Sequence, residues 1–282
     1  MYKSEKKPGP GSREFSDYYE MFEEKDRLFF GSGPLELART KEILDRHLPQ
    51  PPAVIVDVGG GSGVYSCWLS EKGYEVHFID PVEKHVEQAK KASRVQPDHP
   101  LASVALGDAR KLDHPAASVD AVLLFGPLYH LTEKKDRIDA LKEASRVTRM
   151  GGQIFAAFIS RFASLLDGLF RGFLDDPVFV SIVEQDLQDG QHRNPTKNPD
   201  YFTSAFFHHP KDIATEIEES GLIMEKLLPV ESLGGLLPRI ETGWQNPQRR
   251  NRLLRFLRRV ENEPSLIGIS AHLLGIARKP ER

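Results

Sequence analysis

One ten-residue stretch constrains this chain more than any other: Val54-Ile55-Val56-Asp57-Val58-Gly59-Gly60-Gly61-Ser62-Gly63. It opens as an apolar, β-branched run, the pattern of a strand buried on both faces of a parallel sheet. It then breaks into a loop with glycines at 59, 61 and 63. A helical pattern follows at once through Val64, Cys67, Trp68 and Leu69, ending near Gly73. Strand, glycine turn and helix in this order make a nucleotide-binding crossover. Glycine serves where the backbone turns sharply and where a ligand approaches without meeting a Cβ.

The spacing narrows the ligand. A dinucleotide fingerprint would need a third glycine at 64 or 66, where the chain has Val64 and Ser66. A phosphate loop of the Walker type needs Gly-Lys before Ser or Thr, and the chain has no Gly-Lys pair. What stands there is D-x-G-x-G-x-G from Asp57 to Gly63. In this the chain resembles the class I S-adenosylmethionine-dependent methyltransferases of small-molecule type, whose first motif has that form.

Further along, Glu75 to Ile79 reads as a second strand ending at Asp80-Pro81, seventeen residues after Gly63. A right-handed crossover places that acid at the carboxyl edge beside the glycine loop, where a carboxylate can accept both ribose hydroxyl protons. A third strand, Ala102 to Leu106, runs into Gly107-Asp108-Ala109. A fourth, Val119 to Phe125, runs into Gly126-Pro127-Leu128-Tyr129-His130-Leu131. A helix from Thr132-Glu133 to about Val147 and a fifth strand, Gln153 to Ile159, follow. Repeated strand–helix–strand units with short links predict an open parallel sheet covered by helices on both faces.

The resemblance covers residues 53–160 and resumes at the C-terminus. It implies a Rossmann-like α/β fold of seven mostly parallel strands, the last (Ser270 to Arg278) entering antiparallel beside the fifth. It implies S-adenosylmethionine as cofactor and S-adenosylhomocysteine as product. It also implies a cofactor site of Asp57, Gly59, Gly60, Gly61, Gly63, Asp80, Pro81, Asp108, Ala109 and Phe125. Asp80 would bind the ribose, while Asp108 and the Ala109 N–H would contact the adenine. Asp57 lies inside its strand and is expected to orient the glycine loop through backbone N–H groups.

Outside that core, residues 1–13 read as a flexible tail and residues 14–50 as an N-terminal helical cap, with helices over Ser16–Phe30 and Pro34–Leu48. Arg27 and Arg39 are within reach of the cofactor's carboxylate on this reading. Residues 51–282 form the methyltransferase core. Residues 160–210 are too aromatic for disorder and too long for a link, and read as an inserted helical lid over the acceptor pocket. A second insertion, 231–264, holds six arginines between Arg249 and Arg259.

Methyl transfer requires a nucleophile held about 3 Å from the methyl carbon and, for oxygen or amine acceptors, a group that takes a proton. His130 is the leading base, with Tyr129 beside it. His192, Arg193, Tyr201, His208 and His209 are candidate acceptor-binding residues. The loop Gly126-Pro127-Leu128-Tyr129 lacks the polar first residue of the motif that acts on amino groups of nucleic-acid bases. Transfer to oxygen or nitrogen of a small metabolite is therefore expected. The alternative is an RNA methyltransferase or RNA-binding protein that uses the arginine helix, and a third reading is a SAM-binding module without turnover.

Composition adds limits. Lys+Arg 38 against Asp+Glu 41 gives a net charge of −3, so nucleic acid is not the expected partner from global charge. The lone Cys67 fits a reducing cytoplasm, and no apolar run reaches the roughly 18 residues of a membrane helix. No Cys-x-x-Cys or His-Glu-x-x-His occurs, so no metal is expected. A soluble monomer or homodimer acting on a small-molecule acceptor is the result.

Overall fold

The computed structural model describes Tyr18, Tyr19 and residues 27–196, 198–237 and 240–281. The tail over 1–13 and most of the helix expected over Ser16–Phe30 lie outside the described residues. Strands β1 (Val54–Val58), β2 (Glu75–Asp80), β3 (Ser103–Leu106), β4 (Val119–Leu124) and β5 (Thr148–Ile159) are joined by helices α1 to α5. Of these, α1 (Gly33–His47) precedes β1, and α2 (Val64–Glu71) and α3 (Glu83–Arg94) follow β1 and β2. The short α4 (Pro127–His130) and then α5 (Lys134–Val147) connect β4 to β5. Two further strands, β8 (Ile223–Pro229) and β9 (His272–Arg278), complete a seven-stranded sheet of order β3-β2-β1-β4-β5-β9-β8. The first five strands are mutually parallel, and β9 runs antiparallel to both β5 and β8.

Side-chain alternation along β4 builds two cores. Val122 and Leu124 pack against Leu141 and Ala144 of α5 and against Ile213 and Ile217, whereas Ala121 and Leu123 pack against Ile43 and Leu44 of α1, Leu69 of α2 and Val86 of α3. A period of two on a strand sends successive residues to opposite faces, so a run apolar at every position has to be covered on both. The order reverses between β2-β1 and β4-β5, so the carboxyl ends of β1 and β4 flank a crevice at the switch point.

The fifth strand begins earlier than expected. Thr148 pairs with Val119, and Gly151, at φ +72°, bends the chain without ending the ladder. The Gly151 N–H donates to Lys279 O and the Lys279 N–H to Gly152 O, so β9's end continues the pairing across the glycine pair.

Residues 160–210 fold as α6 (Ala163–Arg171), α7 (Pro177–Asp189) and a two-stranded ribbon of β6 (Gln191–His192) with β7 (Ala205–Phe206). Helix α8 (Pro210–Glu219) then leads into β8. Residues 231–264 contribute the short α9 (Ile240–Trp244) and the basic α10 (Pro247–Val260), whose N-terminus is capped by Asn246 accepting from the N–H groups of Gln248 and Arg249. Helix α1 is locked to the chain beyond α10 by ion pairs. Fully buried Arg39 donates to Glu261 at 2.7 Å and to Val230 O, and Arg46 donates to Glu261 at 2.6 and 2.8 Å. Arg39 is therefore committed to the α1 packing and does not face the crevice. Among the described residues, no helix is long and apolar enough to cross a membrane.

Candidate active site

The glycine loop leaves β1 with φ of +72° at Gly59, +58° at Gly61 and +84° at Gly63, the left-handed region that glycine enters freely. A Cβ at Gly59 would stand 2.6 Å from Pro127 Cδ, and one at Gly60 2.6 Å from the Phe78 ring. The close approach that excludes side chains there is by the protein itself, from β2 and from the loop after β4.

Two acids hold this loop in ways the sequence does not show. Asp57 is fully buried and does not bind the loop N–H groups expected of it. Its Oδ2 accepts from Ser66 Oγ at 2.5 Å, pinning the first turn of α2. Burial and neighbouring Asp80 push its carboxyl up to about 7, against the Ser66 hydrogen bond. The loop's orienting partner is Asp80, whose Oδ2 accepts from Gly61 N at 2.9 Å while Oδ1 accepts from Val82 N at 2.9 Å and faces His85 Nδ1 at 3.0 Å. Asp80 is 2% exposed. Asp108, two residues beyond β3, is half-buried and pairs with Arg110 at 2.5 Å; burial would raise its carboxyl, but the hydrogen bonds and charge of Arg110 outweigh that and hold it below the usual range. Ala109 is buried in the α5-side core, and Pro81 links Asp80 to α3.

Across the crevice, Phe125 ends the β4 segment with its ring 5.3 Å edge-on from Tyr65 of α2, and Tyr129 Oη donates to Phe125 O at 3.3 Å. His130 stacks at a tilt on Tyr129, with centroids 4.6 Å apart, and its Nε2 lies 3.0 Å from Tyr19 Oη. Burial, with a smaller contribution from His85, pulls the His130 imidazole down to about 3. His130 is thus neutral at physiological pH but a very weak base. Tyr19 stands edge-on to both His85 and His130, at 5.0 and 5.5 Å. Tyr18 meets Phe202 at 5.7 Å, and Phe202 meets His130 at 5.8 Å. Phe202 holds φ +62°, a strained conformation for a bulky side chain, and so presents its ring where the Tyr18–Tyr19 segment and residues 160–210 converge over the β4 loop.

The candidate acceptor-binding residues behave differently from expectation. His192 uses both ring nitrogens inside the insertion, Nδ1 on Asp186 and Nε2 on Tyr201 O, each at 2.8 Å. Tyr201 donates to Asp176 at 2.7 Å. His208 is fully buried, 3.3 Å from Glu216, which also takes both guanidinium bonds of buried Arg137. His209 caps α8, its Nδ1 accepting from Lys211 N. Arg193 is exposed, 3.7 Å from Asp189. These side chains shape and anchor the insertion, because its short elements supply too few backbone partners of their own.

A polar cluster that the sequence did not suggest lies farther along the same edge. Glu231, just after β8, accepts from Ser270 Oγ at 2.7 Å, from His272 N at 3.1 Å and from His272 Nδ1 at 2.5 Å. Glu36 of α1 lies 3.8 Å from the same His272 nitrogen and is held bidentately by Arg27 at 2.6 and 2.9 Å. Burial alone would lower the His272 imidazole, but Glu36 and Glu231 overcome it and raise it to about 9. The donor atoms of Glu36, Glu231 and His272 lie within 4.8 Å of one another, as metal ligands would. However, two carboxylates there already face two cations, Arg27 and charged His272, which leaves no charge deficit for a metal to fill.

Residues 56–156 match the family model described as a methyltransferase domain. Those residues are a class I S-adenosylmethionine-dependent methyltransferase domain. All the cofactor-site positions from Asp57 to Phe125, and Tyr129 and His130, fall inside it. Two uncharacterized methyltransferases, of Mycobacterium tuberculosis and Mycobacterium bovis, are 31% identical to the chain over 132 residues, 45% of this chain and 50% of each relative. The chain therefore spans about half the length of the curated relatives it matches. A SAM-dependent methyltransferase of Methanosarcina mazei superposes with a TM-score of 0.58 at 17% identity, covering 85% of this chain and 98% of that one. A Pyrococcus horikoshii protein reaches 0.62 at 15%, covering 94% and 98%. The [4+2]-cyclase SpnF reaches 0.54 at 15%, covering 87% and 81%. At these identities the likeness establishes the fold, and SpnF, a [4+2]-cyclase, is a protein of different chemistry on it.

His85, Glu231 and His272 lie at the same carboxyl edge as the expected residues. Their signal was positional. Glu231 follows the carboxyl end of β8, which runs in the sense of β1 to β5, and His272 begins β9, which runs the opposite way, so both lie at that edge.

Proposed function

We propose that the chain is a SAM-dependent methyltransferase that transfers a methyl group to oxygen or nitrogen of a small molecule. The observation that carries this reading is the enclosure of the β4 loop by aromatic rings from two directions, Tyr18 and Tyr19 on one side and Phe202 on the other. Such a wall suits a compact, partly apolar acceptor shut away from water.

The residues present fit the cofactor. The glycine turn lies at a topological switch point, and Asp80 Oδ2, with one N–H bond, keeps acceptor capacity for a sugar hydroxyl. Asp80 would hold the ribose, Asp108 and Ala109 the adenine edge, and Phe125 with Gly59 to Gly63 the sides of the seat. When bound, S-adenosylmethionine supplies an electrophilic methyl on a positively charged sulfur. The chain's part is to exclude water with Tyr19 and Phe202, and to keep His130 uncharged beside that cation.

A second reading has one observation in its favour. Arg249, Arg250, Arg252, Arg255 and Arg259 of α10 form no ion pair among the described residues, whereas Arg258 pairs with Glu42 at 3.7 Å. An RNA acceptor would use that exposed basic face. The face is carried on helix α10, whose buried Leu257 packs by Gly234 and whose Arg258 pairs with Glu42 of α1, and no ring contact or ion pair among the described residues joins it to Phe202 or His130. The small-molecule reading is therefore preferred.

The test is transfer of labelled methyl from S-adenosylmethionine to a panel of phenols, carboxylates and amines, with RNA as a separate arm. Label in a small acceptor is expected. Label in RNA alone would overturn the choice of acceptor. Tight cofactor binding with no S-adenosylhomocysteine formed from any acceptor would point to a module without turnover.

A further inference from the structure

We propose that the arginine face of helix α10 docks the protein on an anionic lipid surface, with Phe256 entering the headgroup layer. The proposal does not depend on the cofactor reading. The helix Pro247–Val260 carries six arginines and no acid, on a chain whose net charge is −3. Arg252, Arg255 and Arg259 are spaced three and four residues apart, so they share one face and stand over about 10 Å of helix. Like charges at that spacing repel, and Arg249 and Arg250 lie at the positive end of the helix dipole with no acid in the first turn. A helix face built for water alone mixes the two signs. Of the six, only Arg258 pairs with an acid among the described residues, Glu42 at 3.7 Å. An anionic partner outside the chain relieves that repulsion.

Two features of the face fit a bilayer better than a nucleic acid. The first is shape. Leu257 is the one buried side chain of α10, and Arg249, Arg252, Arg255 and Arg259 are all exposed. The helix is therefore a ridge, whereas single strands are held in basic grooves that track their backbone. A plane meets a ridge along its length, and at physiological salt acids set back more than about 8 Å from the contact do not oppose it. The second feature is the apolar side chains exposed beside the cations. Phe256 is 50% exposed, with the Arg255 guanidinium 5.0 Å over its ring. The 3-10 turn Ser232–Leu236 packs on α10, where a Cβ at Gly234 would come 3.0 Å from Leu257, and Leu233 and Leu237 beside it are 40% and 46% exposed. At the boundary of headgroups and acyl chains such side chains leave water while guanidinium groups stay among the phosphates.

Each arginine near an anionic surface strengthens partition about five-fold, so three acting together give about a hundred-fold, and partial entry of one phenyl ring adds about three- to ten-fold. Charge draws the helix to the surface, and the ring ties the contact to lipid rather than to any polyanion. The contact uses no residue of the crevice, so docking and cofactor binding are measured separately.

The full chain is sedimented with vesicles of phosphatidylcholine alone and of phosphatidylcholine with about 30% phosphatidylserine, at about 0.1 M and about 0.5 M salt. Single-stranded RNA and duplex DNA are titrated at the lower salt. Binding to the anionic vesicles only, released at the higher salt, is expected. R252Q/R255Q/R259Q should weaken it about a hundred-fold and F256S about three- to ten-fold, each with an unchanged circular dichroism spectrum. Where a variant does not fold, the lipid and salt selectivity of wild type decides. Equal binding to both vesicles, or to neither, overturns the proposal, as does tighter binding to RNA or DNA than to vesicles. Vesicle binding that survives the triple substitution overturns it too. So does loss in the triple variant with F256S unchanged, since charge alone would hold any polyanion.

Discussion

Asp80 carries three in-chain contacts and is proposed to hold the ribose, so its replacement separates binding from folding only if its shape is kept. Asp80→Asn should cost about 1–3 kcal/mol of S-adenosylhomocysteine affinity, roughly five- to a hundred-fold, the scale of a hydrogen bond to a charged group. Unchanged calorimetric affinity would remove Asp80 from the site. Asp57 makes a pH prediction of opposite character. Its folded carboxyl is raised from 3.8 to about 7, so its ionisation opposes folding. That penalty is absent below about pH 4, grows as pH rises to 7 and is constant above. Asp57→Asn should therefore gain stability over wild type by up to about 1.4 kcal/mol per pH unit between pH 4 and 7, then level off. Urea midpoints at pH 4, 6 and 8 measure it, and a constant difference would contradict the burial of that charge. His272 has the other sign. Its imidazole is raised above the unfolded 6.5, so its contribution is full below that value and is lost as pH rises through about 9.

At the scale of elements, helix α1 is fastened by a buried ion-pair network rather than by apolar packing alone. Glu261→Gln leaves half-buried Glu42 as the one carboxylate, among the described residues, facing Arg39 and Arg46, and should destabilise by about 1–3 kcal/mol, read as a lowered denaturant midpoint. Arg193→Ala, at an exposed ion pair, should stay within about 0.5 kcal/mol. This scale also shows what was legible from sequence. The five parallel strands, the last strand and α1, α2 and α5 follow from apolar periodicity, because burial on a face leaves a repeat in the residue order; the antiparallel sense of the last strand follows from the family resemblance alone. The acids at the ends of β2 and β3 were legible for the same reason. Partners were not. Whether Asp57 would hold the loop or Ser66, and whether His192 would meet a substrate or Asp186, depends on residues that only folding brings together. The polar residues of the insertion read as acceptor ligands because they are rich in histidine and tyrosine. In the fold most of those groups satisfy one another, as His192 does with Asp186 and Tyr201 O, although His208 Nδ1 is left buried without a partner among the described residues.

For the whole molecule, a cap segment, an insertion and a sheet edge converge on one crevice, where Phe202 meets both Tyr18 and His130. A ligand that binds this closed arrangement and not the unfolded chain must stabilise it, by about 2.7 kcal/mol at a hundred times its dissociation constant. The most direct measurement is titration calorimetry of S-adenosylhomocysteine into wild type and Asp80→Asn, with both variants shown to be folded by circular dichroism. Saturable one-to-one heat with wild type, weakened at least five-fold in the variant, is the predicted result. Absence of heat in a folded wild-type sample would contradict the assignment of this crevice to an adenosyl cofactor.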